Sequence, residues 1–359
     1  MDSDLKEAAA GCEDEVSGGI SVLSEDLLNE VLLHLPPSSL LSSTCVSKSW
    51  LRLCSSPVFR LSYKSSLVDS FLGFFVNFPC RSPFFFPSRS LSSSSSSAAV
   101  ADLGSVQILD SRGGWLLLRD LVTTSLRLFH PIINETLAVA PTSPEIPTAG
   151  FCVLLPDPFS NLPRRFRIIR VLTKPSSPPL IEVFSSEFPG EWKRIQSSLL
   201  IRSQRCFAEL HPVLVNGFLH WLNGGREIIS LDETTCDLSI LGLPRVLPLY
   251  LTHRLLGKLN DRLSYAYVEE TTLYIWVLVD RIFSEWYLEH QIDMAGFQEF
   301  AHARHIRPIA FGGGGSSPIL FLGWTERIFS LDLYNRGVRE LCNAGFEVDH
   351  VFPLQFNGG

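Results

Sequence analysis

Four consecutive glycines, Gly312 to Gly315, followed by Ser316-Ser317, are the first residues that suggest chemistry, because glycine-rich loops can wrap phosphates. That chemistry also needs a lysine after the glycines and a helix to follow, and Pro318 stands where the helix should begin. The run therefore reads as a hairpin loop. His302 and His305 share a spacing that suits one helix face or a tight turn, but no acidic or cysteine ligand stands beside them, which favours a solvated pair over a metal site. His220 precedes Trp221 in a strand-like stretch and reads as a hydrogen-bonded core residue. The eight cysteines (12, 45, 54, 80, 152, 206, 236 and 342) include no Cys-x-x-Cys pair and read as reduced core residues. No Gly-x-Ser-x-Gly elbow and no nucleophile–base pairing is present. Asp232 and Asp332 each follow an apolar run and read as turn formers. Expected catalytic, cofactor and metal residues are therefore none.

If the chain carries no reaction, its elements must serve to hold something. At 359 residues it is long enough for a small unit and a large one, and 45% apolar content lets most of it fold. Twenty-five phenylalanines, 23 prolines and 24 glycines favour strands and turns over long helices. The net charge of -7 gathers at the N-terminus, where six acids between Asp2 and Glu15 face only Lys6. No clustered basic face for nucleic acid is visible, and apolar runs such as Leu273–Val279 are far short of a membrane span. With no basic, apolar leader at the start, a soluble protein of the cytoplasm or nucleus is expected.

Residues 1–20 lack periodicity and read as a disordered acidic lead; order begins at about residue 21. Ser24 can cap a helix whose first turn holds Glu25 and Asp26, complementing the helix dipole. Leu27, Leu28, Val31, Leu32 and Leu35 recur on one face until Pro36-Pro37 ends the helix. Ser38 can cap a second short helix with Leu40 and Leu41, and a third carries Cys45, Val46, Trp50, Leu51 and Leu53. Three short helices make an under-sized core, so part of this apolar surface is expected to meet a partner.

These residues resemble a known motif. Leu23-x-x-Asp26-Leu27-Leu28-x-Glu30-Val31-Leu32-x-x-Leu35-Pro36, Ser39-Leu40-Leu41, Cys45-Val46-Ser47-Lys48-Ser49-Trp50 and Ser56-Pro57-x-Phe59 look like an F-box over residues 21–64. The resemblance implies a bundle that inserts apolar side chains into a Skp-type adaptor, which in turn binds a cullin. Carried across position by position, it assigns adaptor contacts to Leu23, Leu27, Leu28, Val31, Leu35, Pro36 and Trp50. Ser24 departs from the proline usual in the family, which puts the strength of adaptor binding in question.

Beyond Phe59 the pattern becomes strand-like, with a Ser-rich stretch at 88–99 expected as a flexible loop. Paired strands then recur, and taking Phe129, Phe184, Leu231, Val277 and Leu331 as equivalent gives separations of 55, 47, 46 and 54 residues. Apolar pairs precede them, one joined by Asn216-Gly217, a strong hairpin signal. Two hairpins per repeat predict four-stranded blades. Five are visible, and a sixth can be assembled from a strand near residues 71–78 and C-terminal strands near 346–356. The expected fold is thus a small all-α bundle followed by an all-β propeller over 65–359, with six blades favoured; an open β-sandwich or another blade count stays open.

Val215-Asn216-Gly217-Phe218-Leu219-His220-Trp221-Leu222, and Ile275-Trp276-Val277-Leu278 beside Glu285-Trp286, are similar to the kelch-like or F-box-associated repeats of plant F-box proteins. Together the two resemblances imply a non-catalytic substrate-recognition subunit of a Skp–cullin–F-box ubiquitin ligase that recruits a protein target for degradation. Its expected partners are the adaptor, a cullin through it and an unknown protein target, with no cofactor, nucleic acid or membrane. Two other readings stay open: a propeller scaffold not engaged with the ligase, and a propeller enzyme.

Overall fold

The computed structural model describes residues 24–35, 46–56, 70–77, 82–87, 103–131, 135–140, 149–156, 166–173, 178–188, 190–197, 211–223, 227–244, 253–300, 305–312, 318–348 and 350–356, with isolated positions between them. The acidic lead and the Ser-rich stretch at 88–99 lie outside the described residues, as do Ser38 and His302. The chain divides into two compact units, Met1–Ser66 and Leu67–Gly359.

In the first unit, helix α1 spans Glu25–Leu33 and helix α2 spans Lys48–Ser55. The expected middle helix falls mainly on undescribed positions, although Leu40 and Ser43 have helical backbone. Ser24 caps α1 by accepting from the Leu27 N–H at 3.3 Å, and Ser47 caps α2 by accepting from the Trp50 N–H at 3.2 Å. Leu28, Leu32, Leu40, Cys54, Phe59 and Tyr63 are buried. The Tyr63 hydroxyl donates to the Leu35 carbonyl at 2.7 Å and so holds the end of the α1 segment to the end of the unit. Burial pushes the Tyr63 phenol far up, so it stays a neutral donor.

The second unit is a ring of six antiparallel sheets, the expected propeller. Blade 1 holds β3 (Val106–Arg112), β4 (Trp115–Asp120), β5 (Leu126–His130) and β6 (Glu135–Ala138). Blade 2 holds β7 (Ala149–Pro156), β8 (Phe166–Thr173), β9 (Leu180–Ser185) and β10 (Trp192–Gln196). Blade 3 holds β11 (Val213–Val215), β12 (Phe218–Asn223), β13 (Glu227–Asp232) and β14 (Leu238–Gly242). Blade 4 holds β15 (Arg254–Leu259), β16 (Arg262–Glu269), β17 (Thr272–Asp280) and β18 (Glu285–Asp293). Blade 5 holds β19 (Arg307–Gly312), β20 (Ile319–Trp324), β21 (Arg327–Asp332) and β22 (Val338–Asn343). The five residues aligned by the repeat all fall on third strands, β5, β9, β13, β17 and β21.

The sixth blade differs in composition from the expectation. It takes two strands from the start of the unit, β1 (Ser70–Val76) and β2 (Phe84–Pro87), and one from the end, β23 (Phe352–Phe356), in the order β2-β1-β23. The stretch near Phe346 is a turn instead: Gly345 sits at φ +74°, and its N–H donates to the Asn343 side chain at 2.9 Å. β23 is the innermost strand of this blade, so a strand from residues 352–356 completes the ring begun by β1 and β2.

The cores lie between blades. Leu219, Trp221, Ile229 and Leu231 of blade 3 pack on Val153, Ile169 and Ile181 of blade 2. Val277 and Ile275 of blade 4 pack on Leu320 and Phe329 of blade 5. Central strands such as β13 are therefore buried on both faces, which explains their unbroken apolar runs.

Turn chemistry sets the register. Asn216-Gly217 and Asn260-Asp261 adopt paired left-handed conformations, as the short hairpins β11–β12 and β15–β16 require. At the third-to-fourth turns of blades 3, 4 and 5, Asp232, Asp280 and Asp332 each accept from the N–H groups two and three residues on. Cys236, Ser284 and Arg336 then take positive φ. The Thr235 N–H is the main reason the Asp232 carboxyl is held below its ordinary range, followed by opposing burial and the Thr234 N–H. Asp232 and Asp332 are thus turn formers.

Candidate docking surfaces

In the first unit the helices turn two kinds of apolar residue in opposite directions. Leu28, 8% exposed, and Leu32 face the unit's own core. Leu27 and Val31, one turn apart on α1, remain 56% and 47% exposed. Val46, Leu51 and Val58 are exposed as well. The exposed set has the character of an interface, since so many large apolar groups in one small unit gain nothing by facing water.

The adaptor residues expected from the sequence distribute as follows. Leu27 and Val31 are exposed, Leu35 and Trp50 are half-buried, and Leu28 is committed to the core. Leu23 and Pro36 lie outside the described residues. Val58 was not among the sequence candidates; it lies beyond the end of α2, where it and Phe59 have helical backbone, too short a stretch to show a period.

In the propeller, side chains from opposite blades meet across the ring. His211 and His350 lead into β11 and β23, the inner strands of blades three apart around the ring, and their rings stack at 3.5 Å. Phe352 sets its edge against both, at 5.2 Å and 5.0 Å. Burial brings His211 down to about 4, and burial with the neighbouring His211 pushes His350 well below its ordinary value, so both rings are neutral. Around them Arg112 donates to the Pro212 carbonyl at 2.7 Å and to Asp110 at 2.8 Å. Asp110 also accepts from the Leu154 N–H at 2.9 Å. Inner strands of different blades are therefore stitched together at the centre.

The face bearing the first-to-second and third-to-fourth turns is latched from blade to blade. Arg167 of blade 2 donates to the Glu233 carbonyl of blade 3 at 2.9 Å. Arg281 of blade 4 lies over the Phe218 ring of blade 3 at 3.5 Å and donates to Ser239 at 2.9 Å. Asn260 of blade 4 bonds the Tyr334 hydroxyl of blade 5 at 2.9 Å. Nearer the outer edge, the indoles of Trp192 and Trp286 donate to the Ala140 and Gly242 carbonyls of the preceding blades at 3.1 Å and 2.9 Å. Trp192 and Trp286 are thus inter-blade ties.

His220 is buried and bonded to the Ser230 hydroxyl at 2.7 Å, with burial bringing it down to about 4, as suits a core residue. Cys54, Cys152, Cys236 and Cys342 are free thiols, and burial pushes Cys152 up to about 11, far from the reactive thiolate. His305 is exposed. Among the described residues no group of three or more His, Cys, Asp or Glu could hold a metal ion.

Residues 20–62 match the F-box domain family. No curated protein matches the chain. Among solved structures, a chain of the nidogen/laminin complex is similar at 13% identity and a TM-score of 0.45, covering 79% of this chain and 98% of that one. A luciferin-regenerating enzyme is similar at 11% identity and a TM-score of 0.37, with 67% and 78% of the two chains covered. The N-terminal domain of Nup159 is similar at 12% identity and 0.34, with 68% and 62% covered. The chain carries an F-box domain at residues 20–62, followed by a six-bladed β-propeller.

Proposed function

We propose that the chain is the substrate-recognition subunit of a Skp–cullin–F-box ubiquitin ligase: the F-box anchors it to a Skp-type adaptor, and the propeller holds a protein target for ubiquitination and degradation. The observation that carries this reading is the F-box match at residues 20–62, on a unit that leaves Leu27 and Val31 exposed. No catalytic group is required of this chain. Tethering raises the local concentration of the target beside the ubiquitin-charged enzyme, and proximity supplies the rate. The side chains that meet across the ring favour recognition on its outer faces over chemistry in a central channel. A kelch-like or F-box-associated plant lineage, a cullin partner and residence in the cytoplasm or nucleus belong to the same proposal.

The test is quantitative binding of the full chain to a purified Skp-type adaptor. Leu27→Ser with Val31→Ser should abolish tight binding while Trp fluorescence of the propeller stays unchanged. Equal adaptor affinity of wild type and double variant would overturn the assignment, and absence of binding by the wild type would favour a scaffold detached from the ligase.

A further inference from the structure

The turn between β17 and β18 places Ile282 and Phe283 in solvent, 87% and 71% exposed. Nothing in the turn demands apolar side chains there. Its fold needs an acceptor at Asp280 and positive φ at Ser284. The equivalent middle positions are Thr234-Thr235 in blade 3 and Tyr334-Asn335 in blade 5, built on the same aspartate geometry. Nor is the tip loose. Arg281 is laid on Phe218, and Ser284 accepts from the Gly242 N–H at 3.1 Å, so the two side chains are presented on a fixed support. A rigid, exposed aliphatic–aromatic pair is the composition of an interface anchor, since little conformational freedom remains to be lost on binding.

The surroundings specify the partner's charge. The turns of this face on blades 3 to 5, residues 216–217, 232–237, 260–261, 280–285 and 332–337, contain seven acids and two arginines, one of them Arg281 on its aromatic neighbour; Asp261 and Glu233 are paired with Lys258 and Arg167, and the balance stays acidic. Asp237 in the blade 3 turn and Glu285 two residues after Phe283 are both exposed. We infer that this face, centred on Ile282 and Phe283, docks a basic protein segment: a run of lysines or arginines interrupted by an aliphatic or aromatic residue. The acids steer it by long-range attraction, and the apolar tip fixes it. The inference rests on the propeller being the target-holding half of the chain, and it adds the chemistry of the target.

The test is panning of a phage-displayed random 15-residue peptide library on the intact chain, followed by fluorescence anisotropy with the enriched peptides. Enriched sequences should carry net positive charge and at least one large apolar residue. Ile282→Ser with Phe283→Ser should weaken them about tenfold or more, as removal of an anchor pair does. Asp237→Asn with Glu285→Gln should weaken binding and flatten its salt dependence, with the thermal midpoint unchanged for both variants. Neutral or acidic peptides, no enrichment, or unchanged affinity of the Ile282/Phe283 variant would each overturn the inference. So would a concentration-dependent dimer in sedimentation that the same variant dissolves, because the patch would then be covered by a second copy. Adaptor binding measured in parallel separates the two proposals: the propeller variants should retain it, and Leu27→Ser with Val31→Ser should lose it while keeping the peptide.

Discussion

Lowering the pH from 7.5 to 5 should strip the propeller of a large share of its stability, through histidines that are folded in as neutral rings. His211 and His220 are brought down to about 4 by burial, whereas an unfolded histidine titrates near about 6.5. Between those values the unfolded chain binds protons that the folded chain refuses, so stability is present above the unfolded value and falls as the pH drops. At pH 5 the unfolded imidazole is almost fully protonated and the folded one only about one-tenth, which corresponds to roughly 2 kcal/mol lost per histidine. Two such residues give about 4 kcal/mol, a substantial part of the roughly 5–15 kcal/mol typical of a folded protein. His350 acts in the same direction, since burial disfavours its charged form and protonation would set that charge against the stacked His211 ring. The assay is urea unfolding followed by Trp fluorescence at the two pH values. His211→Phe with His350→Phe preserves an aromatic stack without a titrating group, and should reduce the pH dependence by about half or more. An unchanged urea midpoint between pH 7.5 and 5, or a double variant with the full wild-type dependence, would refute the reasoning.

Other outcomes follow from the same contacts. Gly257→Ala should destabilise the propeller by about 1–3 kcal/mol, because a Cβ there would lie 1.8 Å from the Phe311 ring; Gly257→Ala with Phe311→Leu should recover part of the loss in the same urea assay. Trp286→Phe removes the indole bond to Gly242 and should cost about 1 kcal/mol, with a lowered thermal midpoint as the readout. Ser24→Ala removes the α1 cap and should cost about 1 kcal/mol of stability in the first unit, visible as faster amide exchange at Leu27 in the intact chain.

Much of the architecture was legible because it is periodic. The alignment of Phe129, Phe184, Leu231, Val277 and Leu331 on third strands follows from blades of near-constant length buried on both faces. Asn216-Gly217 could be read as a turn because few dipeptides tolerate two left-handed residues in succession. The strand allotment of the sixth blade was less accessible, since pairing of β1 with β23 joins residues nearly 300 positions apart and leaves no local pattern. The docking face of the helical unit was readable in part. Helical spacing groups Leu27, Leu28 and Val31 together, but it does not decide which faces the core: Leu28 does, and Leu27 and Val31 do not. The Ile282-Phe283 tip escaped for a related reason. Two apolar residues beside an aspartate look like the end of an apolar strand until the turn geometry turns them outward.

The closure of the ring by β23 has a consequence for the order in which the chain becomes complete. Synthesis delivers residues 1–66 well before residues 352–356, yet those five residues form the inner strand against which β1 must pair. Until they emerge, β1 and the inner surface of blade 5 wait without their neighbour. A message that ends between residues 67 and 351 therefore encodes the whole F-box unit with a ring that cannot shut. Under the proposed function, such a product would occupy adaptor without presenting a finished receptor, and loss of residues 352–356 is expected to make the chain an inhibitor of the intact protein.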